Sequence, residues 1–182
     1  MKLVVGLGNP GEEYKNTRHN AGRIVAMLAE KKLGEQKNSF AGGKVKFLTP
    51  DTFMNKSGIA VAKLVKTKKD LAGLIVIYDD IDLPLGRVKI SFNRSHGGHN
   101  GLKSVIKELR SEEFLRIRVG ISPMAPKGMA RKPKGEKAVL NFLLGEFKKS
   151  EMETLKKLSR KIAEAITMIY GEGKEKAMSL YN

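Results

Sequence analysis

Cysteine is absent from the 182 residues, which removes disulfides, thiol nucleophiles and cysteine-ligated zinc from consideration. No apolar run approaches the roughly 20 residues that a membrane-spanning helix needs. The start, Met1-Lys2 and then four residues to Gly6, is too short for a secretory leader and reads as a first strand. Acidic residues are scarce, 19 against 35 Lys and Arg, so the chain carries +16. A field of that size favours polyanionic partners such as nucleic acid, although a solubilising lysine-rich surface would give the same count. Repeats, heptads and a domain linker are also missing. What remains is enough apolar material, 41%, for one cored domain spanning 1–182, expected in the cytoplasm.

Periodicity supplies the element order. Lys2–Leu7 reads as a buried strand and Ala21–Leu33 as a helix stopped by Gly34. Ser39–Phe40 and Lys44–Leu48 read as two short strands turning at Gly42-Gly43. Ile59, Val61, Ala62, Leu64 and Val65 mark a helix, and Gly73–Tyr78 an apolar strand covered on both faces and ending at Asp79. Arg87–Phe92 is a further strand, followed by a polar loop, Asn93–Gly98. Leu102 to Leu109 is helical. Phe114–Ile121 is a strand with Arg116 and Arg118 on one face. Residues 123–137 read as a mobile basic loop, 138–144 as a short helix, and 148–170 as a long C-terminal helix stopped by Gly171. Strands alternating with helices predict a three-layer α/β/α globule with a twisted mixed sheet. The loops after Val5, Ile77 and Phe92 are expected at one end of it.

The polar residues are concentrated in those loops. Gly6-Leu-Gly8-Asn-Pro-Gly11 follows a strand and formally matches a dinucleotide fingerprint. Pro10 inside the turn, and a helix starting only after Thr17, leave no helix N-terminus to hold a pyrophosphate. His96 and His99 with Asp79, Asp80 and Asp82 would suggest a divalent metal, but Gly97-Gly98 argues against the helix that three-residue spacing needs. The third arrangement is a histidine with a carboxylate on its far nitrogen, which fixes the tautomer and stabilises the cation formed when water is deprotonated. Asn9, Asn20, Asn55 and Asn100 sit in glycine-bearing or helix-start loops, where carboxamides can hold water or an oxyanion, or merely shape turns. Ser57 and Ser95 lie in no nucleophile elbow, so water is the expected nucleophile.

Five motifs, in order, carry a resemblance. Gly6-Leu-Gly-Asn-Pro-Gly-x-x-Tyr14, Thr17-Arg-His-Asn-Ala-Gly22, Thr52-Phe-Met-Asn-x-Ser-Gly58, Asp79-Asp-Ile-Asp-Leu-Pro-x-Gly86 and Gly97-Gly-His-Asn-Gly-Leu-Lys103 resemble bacterial-type peptidyl-tRNA hydrolase over essentially the whole chain. The resemblance implies hydrolysis of the ester between a peptide and the terminal ribose of tRNA, by a monomer without metal or organic cofactor. It implies His19 as general base, Asp79 orienting it, and Asn9 and Asn55 holding the water and ester region. Asn100 would meet the peptide backbone, Tyr14 the tRNA end, and Met54 and His99 would line the peptide channel. Arg118 matches one half of the family's clamp on the 5′-phosphate of the acceptor arm. The other half falls at Ser91, where a basic residue is expected, and Lys89 or Arg94 is the substitute at hand. A non-catalytic RNA-binding protein of the same fold is the alternative reading.

Overall fold

A computed structural model describes residues 1–35 and 44–182. Strand β1 (Lys2–Gly6) lies between β2 (Val45–Leu48) and β3 (Leu74–Pro84), both parallel to it. β3 pairs in parallel with β5 (Leu115–Ser122), and β4 (Val88–Phe92) closes the sheet antiparallel to β5, giving the order β2-β1-β3-β5-β4. The expected mixed sheet is present. The pairing expected at Ser39–Phe40 lies outside the described residues.

Both faces of the sheet are covered, which is why its central strands are apolar without alternation. Val4, Ile75, Ile77, Ile117 and Val119 face the helices α1 (Ala21–Glu35) and α6 (Lys149–Glu172). Leu3, Val5, Leu74, Val76 and Tyr78 face α2 (Ser57–Leu64) and α4 (Asn100–Leu109), which bring Val61, Leu102 and Val105. Gly58 sets how closely those two helices cross. A β-carbon there would stand 2.2 Å from the Ser104 carbonyl oxygen, a backbone atom that cannot step aside. Gly58→Ala is therefore expected to cost about 3 kcal/mol. It should lower Tm by roughly 6 to 12 °C in thermal unfolding, and a shift under one degree would show that α2 and α4 are not in rigid contact.

The structure departs from the sequence reading in several places. β3 does not stop at Tyr78 but continues to Pro84, with a register shift against β5 between Asp80 and Pro84. The acidic run Asp79–Asp82 is thus part of the strand and does not end it. The unpredicted α3 (Lys68–Ala72) is only five residues long, yet its Thr67/Asp70 capping box is readable in the sequence. The basic loop ends at Gly135, and α5 runs Glu136–Leu144. Within that loop Ala125 N–H donates to Met129 O and Arg131 N–H to Pro123 O, so it closes on itself. The long helix passes through Gly171 and stops at Gly173, whose φ of 102° does what Gly171 was expected to do. Beyond it α7 (Lys174–Tyr181) carries too few apolar residues to show a period; it buries Ala177 and Tyr181.

One correction bears on the site. β4 is antiparallel, so Phe92 lies opposite Leu115, four residues along β5 from Val119, which pairs with Asp79. The chain leaves β4 at the end of the sheet away from Asp79, and residues 93–98 run back to bring His99 to it.

Candidate active site

His19 sits in a single 3-10 turn, Arg18–Asn20, that leads directly into α1. Its Nδ1 lies 2.9 Å from Oδ2 and 3.1 Å from Oδ1 of Asp79, which projects from β3 with 2% of its side chain exposed. His99 approaches the same carboxylate, Nε2 to Oδ1 at 3.0 Å. The proton positions follow from the backbone. His99 caps α4 by accepting the Leu102 N–H at Nδ1, 3.1 Å, so its ring hydrogen is on Nε2 and is donated to Asp79. Asp79, a carboxylate acceptor, then takes the Nδ1 hydrogen of His19 as well. That leaves the His19 Nε2 lone pair free, with no hydrogen-bond partner among the described residues.

Burial disfavours the Asp79 charge, but the two imidazoles outweigh it and hold the carboxyl well below the usual carboxylate range. For His19, burial pushes towards the neutral ring, and the Asp79 charge and hydrogen bond outweigh it, leaving the pKa raised above 6.5. The rings of His19 and His99 are 5.0 Å apart, and Tyr78 packs its edge on His99 at 4.9 Å.

His19, Asp79 and His99 line one side of a cleft of about 340 Å³, with Asn100 beside them. Arg94 and Arg118 line it further along, and Val139 and Leu143 of α5 form a wall. Arg118 is tied to Asp80, Nε to Oδ2 at 2.5 Å, and its terminal nitrogens have no other partner among the described residues. Lys89 faces Arg118 across the β4–β5 ladder but does not line the cleft. Arg116 shares Arg118's face, as expected, but is fully buried beneath it over the Phe114 ring. Ser91, where a basic residue was expected, is buried opposite Arg116.

Asn9, Tyr14, Met54 and Asn55 lie outside that cleft lining, grouped by their own contacts. Asn9 Oδ1 accepts the Met54 N–H at 2.7 Å, while its Nδ2 has no partner among the described residues. Its backbone is clamped by Asn20, whose Oδ1 accepts Asn9 N–H at 2.8 Å and whose Nδ2 donates to Asn9 O at 2.9 Å. Asn20 is thus the link from the glycine turn to the histidine beside it, and it is 1% exposed. Met54 and His99 both border Gly101, where an added β-carbon would meet Sδ at 2.4 Å and Cε1 at 3.2 Å. Tyr14 meets the exposed Phe53 edge-on at 6.4 Å. Asn55 is exposed in the 3-10 turn after it.

His19, Asp79 and His99 also form the described residues' one group with metal-ligand spacing, their donor atoms within 4.8 Å of one another. The hydrogen-bond polarity does not fit an ion. Both ring nitrogens facing Asp79 carry hydrogens, and freeing His99 Nε2 would set an Nδ1–H against the Leu102 N–H. His96, weighed with the aspartates as a metal ligand and set aside, accepts the Gly98 N–H. The dinucleotide reading fails on position, because α1 begins ten residues after Gly11.

Sequence reasoning missed the roles of Asp80, Arg18 and the α5 wall. Asp80 belonged to a quoted motif. Arg18 also stood in a quoted motif, but its partner lies 133 positions away, so the sequence carried no sign of what it pairs with.

Comparison with known proteins identifies the family. The family described as Peptidyl-tRNA hydrolase matches residues 3–182. A Synechococcus peptidyl-tRNA hydrolase is 43% identical over 195 residues, covering 100% of this chain and 83% of that one. The Thermotoga maritima peptidyl-tRNA hydrolase is 43% identical over 188 residues, covering 99% and 96%. The crystal structure of peptidyl-tRNA hydrolase from Acinetobacter baumannii superposes with a TM-score of 0.82 at 28% identity, covering 100% of this chain and 94% of that one. With its mixed α/β sheet and its His–Asp–His cluster, the chain belongs to the peptidyl-tRNA hydrolase family.

Proposed function

We propose that this protein hydrolyses the ester between a peptide and the terminal ribose of tRNA, with His19 as general base. The observation that carries the reading is the His19–Asp79 pair with Nε2 left as a free acceptor. A water gives a proton to Nε2 as its oxygen attacks the ester carbonyl, and Asp79 stabilises the imidazolium that forms. The tetrahedral oxyanion needs donors aimed at it, and Asn9 Nδ2 is an unspent donor on an anchored carboxamide. Asn55 and Asn100 are assigned to the water and the peptide backbone, Asn100 from the cleft lining. Collapse breaks the bond between the acyl carbon and the ribose oxygen, and the His19 imidazolium gives its proton to that departing oxygen, which becomes the free ribose hydroxyl. Met54 and His99 border the peptide's path, His99 also holding Asp79, and Tyr14 with Phe53 offers aromatic surface to the tRNA end.

The reaction needs no metal or organic cofactor in this scheme, in which His19 Nδ1–H and His99 Nε2–H both donate to the Asp79 carboxylate and His19 Nε2 serves as the base. Release of peptide from a peptidyl-tRNA tests both points. Turnover should be the same with and without excess chelator. Inhibition by the chelator would restore the metal reading, and no release at all would leave an RNA-binding protein.

One five-stranded sheet with an apolar cluster on each face supports a single domain over residues 1–182, and a monomer is part of the same proposal. No described helix is long and apolar enough to cross a membrane. The substrate, a product of translation, fits the cytoplasm.

Arg118 and Arg94 share the cleft and together offer the charge for the 5′-phosphate, with Arg94 in place of the base absent at Ser91. Lys89, off the cleft, is the lesser candidate. Arg94→Ala should raise KM about 10-fold for a 5′-phosphorylated substrate and leave KM unchanged for a 5′-hydroxyl one. Equal effects on both would place Arg94 elsewhere on the tRNA.

A further inference from the structure

Residue 18 stands next to the base, yet its side chain points away from the carboxylate and into the junction between α5 and α6. Its guanidinium lies 4.7 Å from the Phe142 ring centroid and 5.5 Å from that of Phe147. Nη2 meets Glu151 Oε2 at 3.1 Å, with 13% and 19% of the two side chains exposed. The same Glu151 oxygen accepts the Lys148 N–H at 2.7 Å, so the partner is itself fixed at the start of α6. The backbone repeats the connection. Arg18 N–H donates to Gly145 O at 3.0 Å, Phe147 N–H donates to Asn16 O at 2.9 Å, and Thr17 forms an isolated bridge with Glu146.

The other end of this connection is the cleft wall. α5 contributes Val139 and Leu143 to the cleft and has no fully buried residue. It is a helix held from its edges, and Phe142, stacked on Arg18, is one of the holds. On the catalytic side there is no slack, because residues 18 and 19 share one 3-10 turn and the His19–Asp79 contact is 2.9 Å. A displacement of the backbone at residue 18 is a displacement of the turn that carries His19.

We propose that Arg18 is a positioning residue that couples the α5 wall of the cleft to His19, so that a peptide seated against α5 holds the base against Asp79. The proposal rests on the hydrolase reading with His19 as base, and its test is read at His19 itself as well as in turnover. Arg18 touches neither water nor ester; it acts through the ring beside it. The stacking and the ion pair are separable. Lysine at this position keeps the charge for Glu151 but loses the planar face that lies on two phenyl rings.

The test compares Arg18→Ala, Arg18→Lys and the unaltered protein in turnover and in the NMR titration of the His19 ring. Arg18→Ala should lower kcat about 10- to 100-fold, the range that a shift on the order of 1 Å in a catalytic group produces. KM should stay within about threefold, since uniform binding is untouched. The His19 titration midpoint should move down, because the nearby carboxylate is what raises it. Arg18→Lys should fall between the two in kcat. If Arg18→Ala does not fold, the lysine variant decides alone. Reduced kcat at a Tm near that of the unaltered protein supports the coupling, and unaltered kcat overturns it. A raised KM with unchanged kcat in the alanine variant would also overturn it, by making Arg18 a substrate contact. Failure of the hydrolase reading would look different: His19→Ala would retain turnover, whatever Arg18 does.

Discussion

His19→Ala should lower turnover of peptidyl-tRNA by about a thousandfold or more while the protein stays folded. The variant loses the acceptor that the proposed scheme assigns to the proton of an attacking water. Asn9, Asn55 and Asn100 remain, but a carboxamide does not titrate near neutral pH and can only orient what is bound. The cost to stability should be small. Asp79 keeps the hydrogen bond from His99, so the buried carboxylate is not left without a partner. About 1.5 to 3 kcal/mol is the expected loss, that of one charge-assisted hydrogen bond. Single-turnover assays with thermal unfolding alongside check both halves. Turnover within tenfold of the unaltered protein would remove His19 as the base.

Asp79→Asn is expected to be nearly as damaging, for a reason specific to this cluster. The carboxylate accepts from two imidazoles at once, and asparagine has one carbonyl oxygen to replace two carboxylate oxygens. His99 cannot adapt, because the Leu102 N–H fixes its ring hydrogen on Nε2. His99 therefore keeps the oxygen, and the new NH2 group faces His19. His19 must then accept at Nδ1, which puts its hydrogen on Nε2, where the lone pair was needed. Turnover should fall about 10³- to 10⁴-fold with tRNA binding nearly unchanged.

The pH profile gives a second readout of the same variant. In the unaltered protein kcat/KM should fall as pH drops through a value above 6.5, because the base works only when neutral and its folded-state pKa is raised. Without the carboxylate, burial is left to act alone and favours the neutral ring. The acid limb of the residual activity should therefore move to lower pH as its plateau falls. A limb that stays in place would mean that another group sets it.

Much of this was legible in the residues. β1, α1, β5 and α4 followed from apolar periodicity, and His19, Asp79 and the asparagines stood in quoted motifs. What was not legible was directional. An apolar run that ends in Asp-Asp looks like the end of a strand, yet Asp79 and Asp80 are still in β3, because ladder pairing with β5 continues past the last apolar residue. The alternation in Arg87–Phe92 marks a strand but carries no sign of its antiparallel sense, so the path of residues 93–98 could not be foreseen. Glycine identity showed that α6 must stop, but not that the positive φ falls at Gly173 rather than Gly171. The weight of Arg18 was hidden because its partners, Phe142, Phe147 and Glu151, come more than 120 residues later.

That last separation also orders events in time. β1 reaches its partner β3 only across some seventy residues, and the turn carrying His19 is pinned by residues 145–151. During synthesis the contacts that pin this turn cannot form until residues 145–151 have themselves been added. A chain emerging during synthesis would thus own every residue of its catalytic cluster well before it could hold the base in place. Competence arrives with the C-terminal third, not with the histidine.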